Sequence, residues 1–407
     1  MSEHHAAVDT ATVESETMKK PPFVDRALIV GGGLGGLAAA IQLRNFGIDA
    51  QVYEQNLKLS GGQGTLITVF PNGCQALYKA DPEIVTKLRE AGIVDAHAWV
   101  VNPKSGEQVS SWELMERMEK TYGQPAVAVL WEDLQKILSD ALPDDCKHMG
   151  YKCLDVSQDE EGAIVQFQKV DVTLWEQAPL VIGADGIHSV VRSKLFGSIP
   201  PRDNGRTIWR ALIDEDLCSD LGLNVGSMTA VGNGRTMFIV NGAGGKVYWA
   251  GSLTDVSTDG RTKVRSKDPA EVKARLRQEY EGWDLALKIL EVTDGELILE
   301  RRVLDLPVLE EWACGRVVLL GDAAHAVTPA LGQGANLAFE DGLELALQLS
   351  SASNLGSALE AYEKRRIPRV QLISERTRAT GISTPPSFYD WLYTAIPSSS
   401  LEQVLYV

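Results

Sequence analysis

Three segments carry residues whose types and spacing can do chemistry. The first is Gly31-x-Gly33-x-x-Gly36, with Leu34 and Gly35 inside it and Glu54, then Gln55, eighteen residues after the last glycine. Glycines allow a tight turn and bring backbone close to a pyrophosphate. The following helix offers that anion unpaired N–H groups, and an acidic residue at this distance suits ribose hydroxyls. The chemistry is dinucleotide binding, and the motif alone does not separate FAD from NAD. The second segment is Leu180-Val181-Ile182-Gly183-Ala184-Asp185-Gly186, leading through Ser189 to Arg192. Asp185 is either a carboxylate at a ligand crevice or part of a surface Asp-Gly turn. The third is Val317-Val318-Leu319-Leu320-Gly321-Asp322-Ala323-Ala324-His325, then Pro329-Ala330-Leu331-Gly332-Gln333-Gly334-Ala335-Asn336. It delivers Asp322 to a strand end and a Pro/Gly loop to a helix N-terminus. Such a terminus stabilises negative charge on a reduced ring system as well as on phosphate. His325 reads as a hydrogen-bonded support rather than a base.

These residues need elements to hold them. Ala27–Val30 is apolar throughout, as a buried parallel strand is. A helix over Leu37–Phe46 stops at Gly47, and a second strand over Ile48–Tyr53 ends at Glu54, which makes a βαβ opening. Residues 75–125 mix short helical patterns with weak strands, and Trp131–Leu142 reads as a helix. Residues 150–182 read as a meander that includes Leu180–Ile182. Several strands fall within 206–255, a polar loop within 257–268, and Asp268-Pro269 opens a helix. The chain then reads as helical to about Thr380 and irregular beyond it.

Composition excludes other classes. The 407 residues suggest two to three domains. Lys and Arg number 39 against 55 Asp and Glu, a net charge of −16, which argues against a nucleic-acid binder. No apolar run reaches the roughly 18–20 residues of a membrane span. The N-terminus is polar, without a secretory h-region, and residues 1–22 read as a disordered lead-in. Five cysteines without a C-x-x-C pair fit a reducing, cytoplasmic setting. The histidines show no metal-ligand spacing, so no metal is expected.

In order and spacing, the three segments resemble the class A flavoprotein monooxygenases. These are the FAD-dependent hydroxylases of the p-hydroxybenzoate hydroxylase fold, with salicylate- and urate-hydroxylase-like and zeaxanthin epoxidase-like members. The resemblance spans about residues 25–380. It implies an α/β protein, with an FAD-binding Rossmann-like (GR2-type) domain interleaved with a mixed β-sheet substrate domain. The expected FAD-binding parts are 23–74, 125–198 and 300–380, with substrate parts 75–124 and 199–299 and a C-terminal tail 381–407. It implies FAD as cofactor, NADH or NADPH as co-substrate, and O2. Through a flavin C4a-hydroperoxide, an oxygen atom would pass to an electron-rich aromatic or polycyclic small molecule by hydroxylation or epoxidation.

By the same resemblance Gly31, Gly33, Leu34, Gly35, Gly36, Glu54 and Gln55 would hold the ADP half of FAD. Asp185 would lie in a segment serving FAD and NAD(P)H. Gly321 and Asp322 would meet the ribityl–pyrophosphate region. Pro329 and Gly332 through Gly334, Ala335 and Asn336 would lie against the flavin ring. Gly61, Leu66 and Trp131 stand where family members commonly carry arginine, glycine and arginine, so the assignment of Trp131 to FAD rests on position alone. Substrate contacts are expected from the 199–300 sheet and from Phe70–Leu77. Candidates are Trp209, Arg210, Phe238, Tyr248 and Trp249, each either pocket or core. Arg210 would meet a substrate carboxylate or phenolate, or solvent. Alternatives on the same fold are a flavin-dependent reductase and a non-catalytic flavin-binding redox protein. The helical basic cluster Arg365, Arg366 and Arg369 reads as a solvated or FAD-domain face.

Overall fold

The computed structural model describes residues 23–59, 65–254, 268–378 and 385–394. The N-terminal lead-in, Gly61 and nearly all of the 257–268 loop lie outside the described residues.

One six-stranded sheet organises the half expected to hold the cofactor, called the cofactor half, in the order Ala313–Cys314, Val317–Leu319, Leu180–Gly183, Arg26–Val30, Asp49–Glu54, Lys147–Met149. All neighbours are parallel except the first pair. Its central strands are apolar throughout because both faces are covered, one by the Leu34–Asn45 helix and the other by the antiparallel strands of residues 152–178. The Leu34–Asn45 helix crosses from the first strand to the second and packs on the long Gly334–Ser351 helix. Small residues set that approach: a Cβ on Gly35 would lie 2.9 Å from Ala338 Cβ, and one on Gly342 2.9 Å from Ala39 Cα. The meander is real but shorter than expected. Lys152–Gln158, Ala163–Lys169 and Val172–Ala178 pair antiparallel, whereas Leu180–Gly183 leaves them to join the parallel sheet. Its unbroken apolar run fits a strand buried on both faces better than a meander edge.

The second half is a seven-stranded mixed sheet, in the order Leu299–Asp305, Arg202–Asp214, Lys246–Thr254, Arg235–Ala243, Gly226–Gly232, Ala98–Val101, Gln108–Ser111. The Pro269–Glu279 and Asp284–Val292 helices cover one face. Asp268 caps the first of them by accepting the Ala270 N–H at 2.9 Å. The other face meets the short strands Leu66–Val69 and Val127–Leu130 of the cofactor half, with Leu66, Leu130, Tyr248 and Ala250 in one apolar cluster. The chain crosses between the halves beside Asp305. This buried carboxylate accepts from Arg202 Nε at 3.0 Å and also pairs with Arg378 at the end of the Leu355–Arg378 helix.

The expected boundaries shift in three places. Only Ala98–Val101 and Gln108–Ser111 of segment 75–124 join the substrate sheet. The Pro71–Ala80 and Pro82–Ala91 helices bury Ala76, Leu77, Ile84 and Leu88 in the cofactor-domain core. The strand that includes residue 300 belongs to the substrate sheet, so the return to the cofactor half follows Asp305. The tail holds a helix, Pro386–Thr394, which buries Phe388, Trp391 and Leu392 on one side. No helix among the described residues is long and apolar enough to cross a membrane.

Candidate functional site

The glycine loop turns at the carboxyl end of the first strand. Gly31 adopts φ +117°, and a Cβ there would sit 2.3 Å from the Ala184 carbonyl oxygen. A Cβ on Gly36 would sit 2.0 Å from the Gly31 carbonyl oxygen. Glycine is therefore required twice so that three stretches of backbone can meet. Gly33 differs: it begins the helix with ordinary extended backbone, and a Cβ there meets no protein atom within 4 Å. No side chain caps this helix, so its first N–H groups face that open cradle. Leu34 is buried beneath it.

Glu54 sits beside the loop. Its Oε2 accepts the Gly32 N–H at 2.8 Å, and its Oε1 accepts from the backbone and side chain of Asn56 at 2.9 and 2.6 Å. Gln55 is exposed next to it. The Gln135 side chain donates to the Gly32 carbonyl at 3.3 Å and ties in the Trp131–Asp140 helix. Trp131 opens that helix, its backbone N–H donating to the Thr65 carbonyl at 3.0 Å. Its indole is half-buried against the cofactor-domain core.

Asp185 follows the second motif's strand. Its carboxylate accepts from Ser189 Oγ at 2.5 Å, Val190 N at 2.7 Å and Val191 N at 3.2 Å, so it holds its own turn and the start of the Val190–Phe196 helix. Burial pushes its carboxyl up, against those hydrogen bonds. What this segment gives the glycine loop is the Ala184 backbone. Arg192, also buried, donates to the Ala323 carbonyl at 2.8 Å and the Ile187 carbonyl at 2.6 Å, locking the second motif to the third.

The third motif presents Asp322 at the end of its strand, after Gly321 at φ +58°. Asp322 is open to solvent yet hemmed in by neighbours, as a side chain on a cleft floor is. Burial pushes its carboxyl up and His325 opposes this. No donor among the described residues reaches its carboxylate. A Cβ on Gly334, which opens the 18-residue Gly334–Ser351 helix, would lie 3.9 Å from Asp322 Oδ1. That helix also begins without a side-chain cap. Pro329 and Gly332 are exposed on the loop before it, with Ala335 half-buried. Asn336 is fully buried and staples the loop: it accepts the Phe70 N–H at 2.9 Å and donates to Thr68 O at 3.1 Å and Gly332 O at 2.8 Å.

Two uncapped helix starts, an open glycine cradle, a ribose-suited glutamate and an unpartnered aspartate converge on the carboxyl ends of neighbouring parallel strands. A ligand with a pyrophosphate, hydroxyls and a ring fits this donor set. A family model described as FAD binding domain matches residues 25–377. The chain belongs to the class A flavoprotein monooxygenases. It is 30% identical over 360 residues to 3-amino-4-hydroxybenzoate 2-monooxygenase PtmB3 of Streptomyces platensis, covering 88% of this chain and 87% of that protein. It is 30% identical to the chloroplastic zeaxanthin epoxidase of Nicotiana plumbaginifolia, across 91% of this chain and 57% of that one. A variant of Klebsiella pneumoniae HpxO solved with FAD superposes at TM-score 0.77 with 25% identity, over 93% of this chain and 96% of that one.

In this flavoprotein monooxygenase the substrate sheet sorts the five aromatic and basic candidates by strand alternation. Arg210, Phe238 and Tyr248 share the face turned to the cofactor half, with Arg210 and Phe238 both opposite Ala250. Trp209 and Trp249 point the other way, which corrects the expectation that they touch substrate. Trp209 lies under Arg275 of the covering helix at 5.7 Å, and Trp249 is fully buried with its indole bonded to Thr293 Oγ1 at 3.0 Å. In Phe70–Leu77, Asn72, Cys74, Ala76 and Leu77 are also buried, and Phe70, buried too, packs against Gly332.

Sequence reasoning passed over one feature and left another between two readings. Arg206 and Arg301 share the Arg210 face, and alternation along the two strands marks them. Arg366 and Arg369 are not a solvated face: both are buried and hold Glu340 and Asp341. Among the described residues no group of acidic, histidine or cysteine side chains could hold a metal.

Proposed function

We propose that this monooxygenase hydroxylates an electron-rich aromatic bearing a carboxylate or phenolate, with NAD(P)H and O2 as co-substrates. The observation that carries the reading is Arg210. Among the described residues its buried Nε has no hydrogen-bond partner and no carboxylate pairs with its guanidinium. A guanidinium left unpaired on a mostly apolar face is suited to a substrate anion, because a charge-assisted bond gains strength where water is excluded. Tyr248 stands on the same face. Burial raises its hydroxyl and Arg210 opposes this, so it stays protonated and can donate to the same anion. Phe238 meets Tyr248 edge-on, with ring centroids 6.4 Å apart, and walls that corner. The name of the Streptomyces relative likewise describes a carboxylated aminophenol.

Bound FAD would supply the electron transfer from NAD(P)H and the activation of O2. The chain's own part is to hold and orient. The Gly31–Gly36 loop and Glu54 would take the ADP half, and Asp322 the ribityl hydroxyls. The uncapped start of the Gly334–Ser351 helix would stabilise negative charge on the reduced ring. The apolar cluster of Leu66, Leu130, Val240 and Ala250 would keep water out.

The test is NAD(P)H-dependent O2 uptake and product formation with a carboxylated phenol and with its neutral amide. Arg210→Met should raise KM for the acid roughly 10- to 150-fold, as expected for losing a bond to a charged group of about 1.5–3 kcal/mol. The amide should change little. Equal effects on acid and amide would refute the role of Arg210. No product from any electron-rich aromatic would refute the reading as a whole.

A further inference from the structure

Glu340 and Asp341 are adjacent on the Gly334–Ser351 helix, and both are fully buried. Adjacent helical residues diverge by about 100°, so the two carboxylates reach to different sides. Glu340 Oε1 accepts from Asn72 Nδ2 at 2.6 Å. The same amide group donates to Gln333 Oε1 at 3.0 Å, and Gln333 ends the loop that begins at Pro329. Asp341 Oδ2 accepts the Gly321 N–H at 2.9 Å and meets His325 Nε2 at 2.5 Å, which brackets the turn that presents Asp322. Arg366 spans the pair, with Nε to Asp341 at 2.7 Å and one terminal nitrogen to Glu340 at 2.5 Å. Arg369 grips Glu340 at 2.7 Å through two nitrogens. It also donates to the Leu392 carbonyl at 2.9 Å, which hitches the C-terminal helix to the same anchor.

Both ligand-facing loops of the third motif therefore hang from one buried acid pair. We propose that Glu340 and Asp341 are positioning residues with divided labour. Glu340 acts through Asn72 and Gln333 to set the Pro329–Gln333 loop against the flavin ring. Asp341 acts through His325 and the Gly321 N–H to set Asp322 for the rest of the cofactor. The proposal rests on the cofactor placement given above. Helix packing alone does not require this division, because neither Asn72 nor His325 completes a network: Asn72 Oδ1 and His325 Nδ1 are both buried without a partner. Each serves as a link between one carboxylate and one loop.

The experiment titrates FAD into stripped protein and records the flavin spectrum and reduction potential at saturation, with the melting temperature of the stripped protein alongside. His325→Ala cuts one of the two Asp341 links and leaves the Gly321 N–H. It should weaken FAD binding about tenfold, the scale of one lost buried hydrogen bond, and leave the saturated spectrum unchanged. His325→Gln returns an N–H donor near the Nε2 position and should bring the affinity back to within about threefold. Asn72→Ala cuts the Glu340 link. It should leave affinity within about threefold but move the flavin absorption band and the potential, because the loop against the ring is freed. Variants that lower only the melting temperature, or that both move the same observable, would overturn the division. Wild-type protein that takes up no FAD would instead refute the cofactor placement, and this proposal with it.

Discussion

Replacing Arg366 with methionine tests the electrostatics beneath the cofactor loops. Arg366 is 1% exposed, and its guanidinium serves Glu340, Asp341 and the Leu337 carbonyl. Methionine keeps much of the stem and removes the charge. Taking one partner from a buried ion pair costs about 3–5 kcal/mol, because the other charge stays behind without compensation. At roughly 2–4 °C per kcal/mol for domains of this size, the melting temperature should fall by about 6–20 °C.

The pH dependence gives the sharper check. In the wild type, burial raises the Asp341 carboxyl, but His325, Arg366 and the Gly321 N–H outweigh it and hold it at about 2 against an ordinary 3.8. Glu340 is likewise held low, with burial outweighed by Arg369 and Arg366. Both carboxylates thus contribute stability that is present above their unfolded values and is lost as pH falls through the folded ones. In the variant, burial works against weaker opposition and the carboxyls move up. The variant's carboxyls then give up less stability than the wild type's as pH falls from about 5 toward the wild-type folded values. Urea unfolding of the stripped proteins at about pH 5 and about pH 3 should therefore show a deficit that narrows on acidification. A deficit under about 1 kcal/mol, or one of equal size at both pH values, would refute the idea that Arg366 compensates buried charge.

Three further outcomes are expected. Gly33→Ala should leave the stripped protein's melting temperature unchanged, since its Cβ meets no protein atom within 4 Å. The same change should lower FAD affinity in a spectral titration, whereas Gly31→Ala should impair folding itself through its 2.3 Å clash and positive φ. Asp322→Ala should lower flavin occupancy on purification with little loss of stability, because the carboxylate has no internal bond to lose; unchanged occupancy would remove it from the site. Trp249→Phe should destabilise by about 1–3 kcal/mol through the lost Thr293 bond and the lost volume, as read by urea unfolding. A change in substrate KM without that loss would return Trp249 to the pocket.

The three motifs were legible in the sequence because each is local. An unbroken apolar strand, a glycine turn and a helix start lie within about fifteen residues, and local pattern governs all three. The substrate face was half legible. Trp209 and Arg210 are neighbours on one strand and Tyr248 and Trp249 on another, so alternation forbids each pair from sharing a face. Deciding which member faced the cofactor needed the tertiary cover, the two helices packed over Trp249. The Pro386–Thr394 helix was overlooked although Phe388, Trp391 and Leu392 have helical spacing, because the run is short and sits among prolines and serines. The Glu340–Arg366 network depends on pairs about 26 residues apart. Its trace in the sequence is three acids, Glu340, Asp341 and Glu344, within a mostly apolar helix, which burial makes untenable without cations or donors.

That network bears on how an acidic protein can bind anions. The net charge is −16, yet Arg206, Arg210 and Arg301 lie on the sheet face turned toward the cofactor half without a carboxylate partner among the described residues. Screening limits the reach of exposed charges to about 8 Å at physiological salt. The acidic exterior therefore weakly affects an anion already in the cleft, while arginines within hydrogen-bonding range act on it undiminished. The buried acids would be a different matter, since little solvent screens Glu340 and Asp341 behind the flavin loop. Pairing them with Arg366 and Arg369 cancels that negative field at its source. The two sets of arginines thus serve one end from opposite sides. One set neutralises the acids behind the loops of the third motif, and the other would meet the proposed substrate anion.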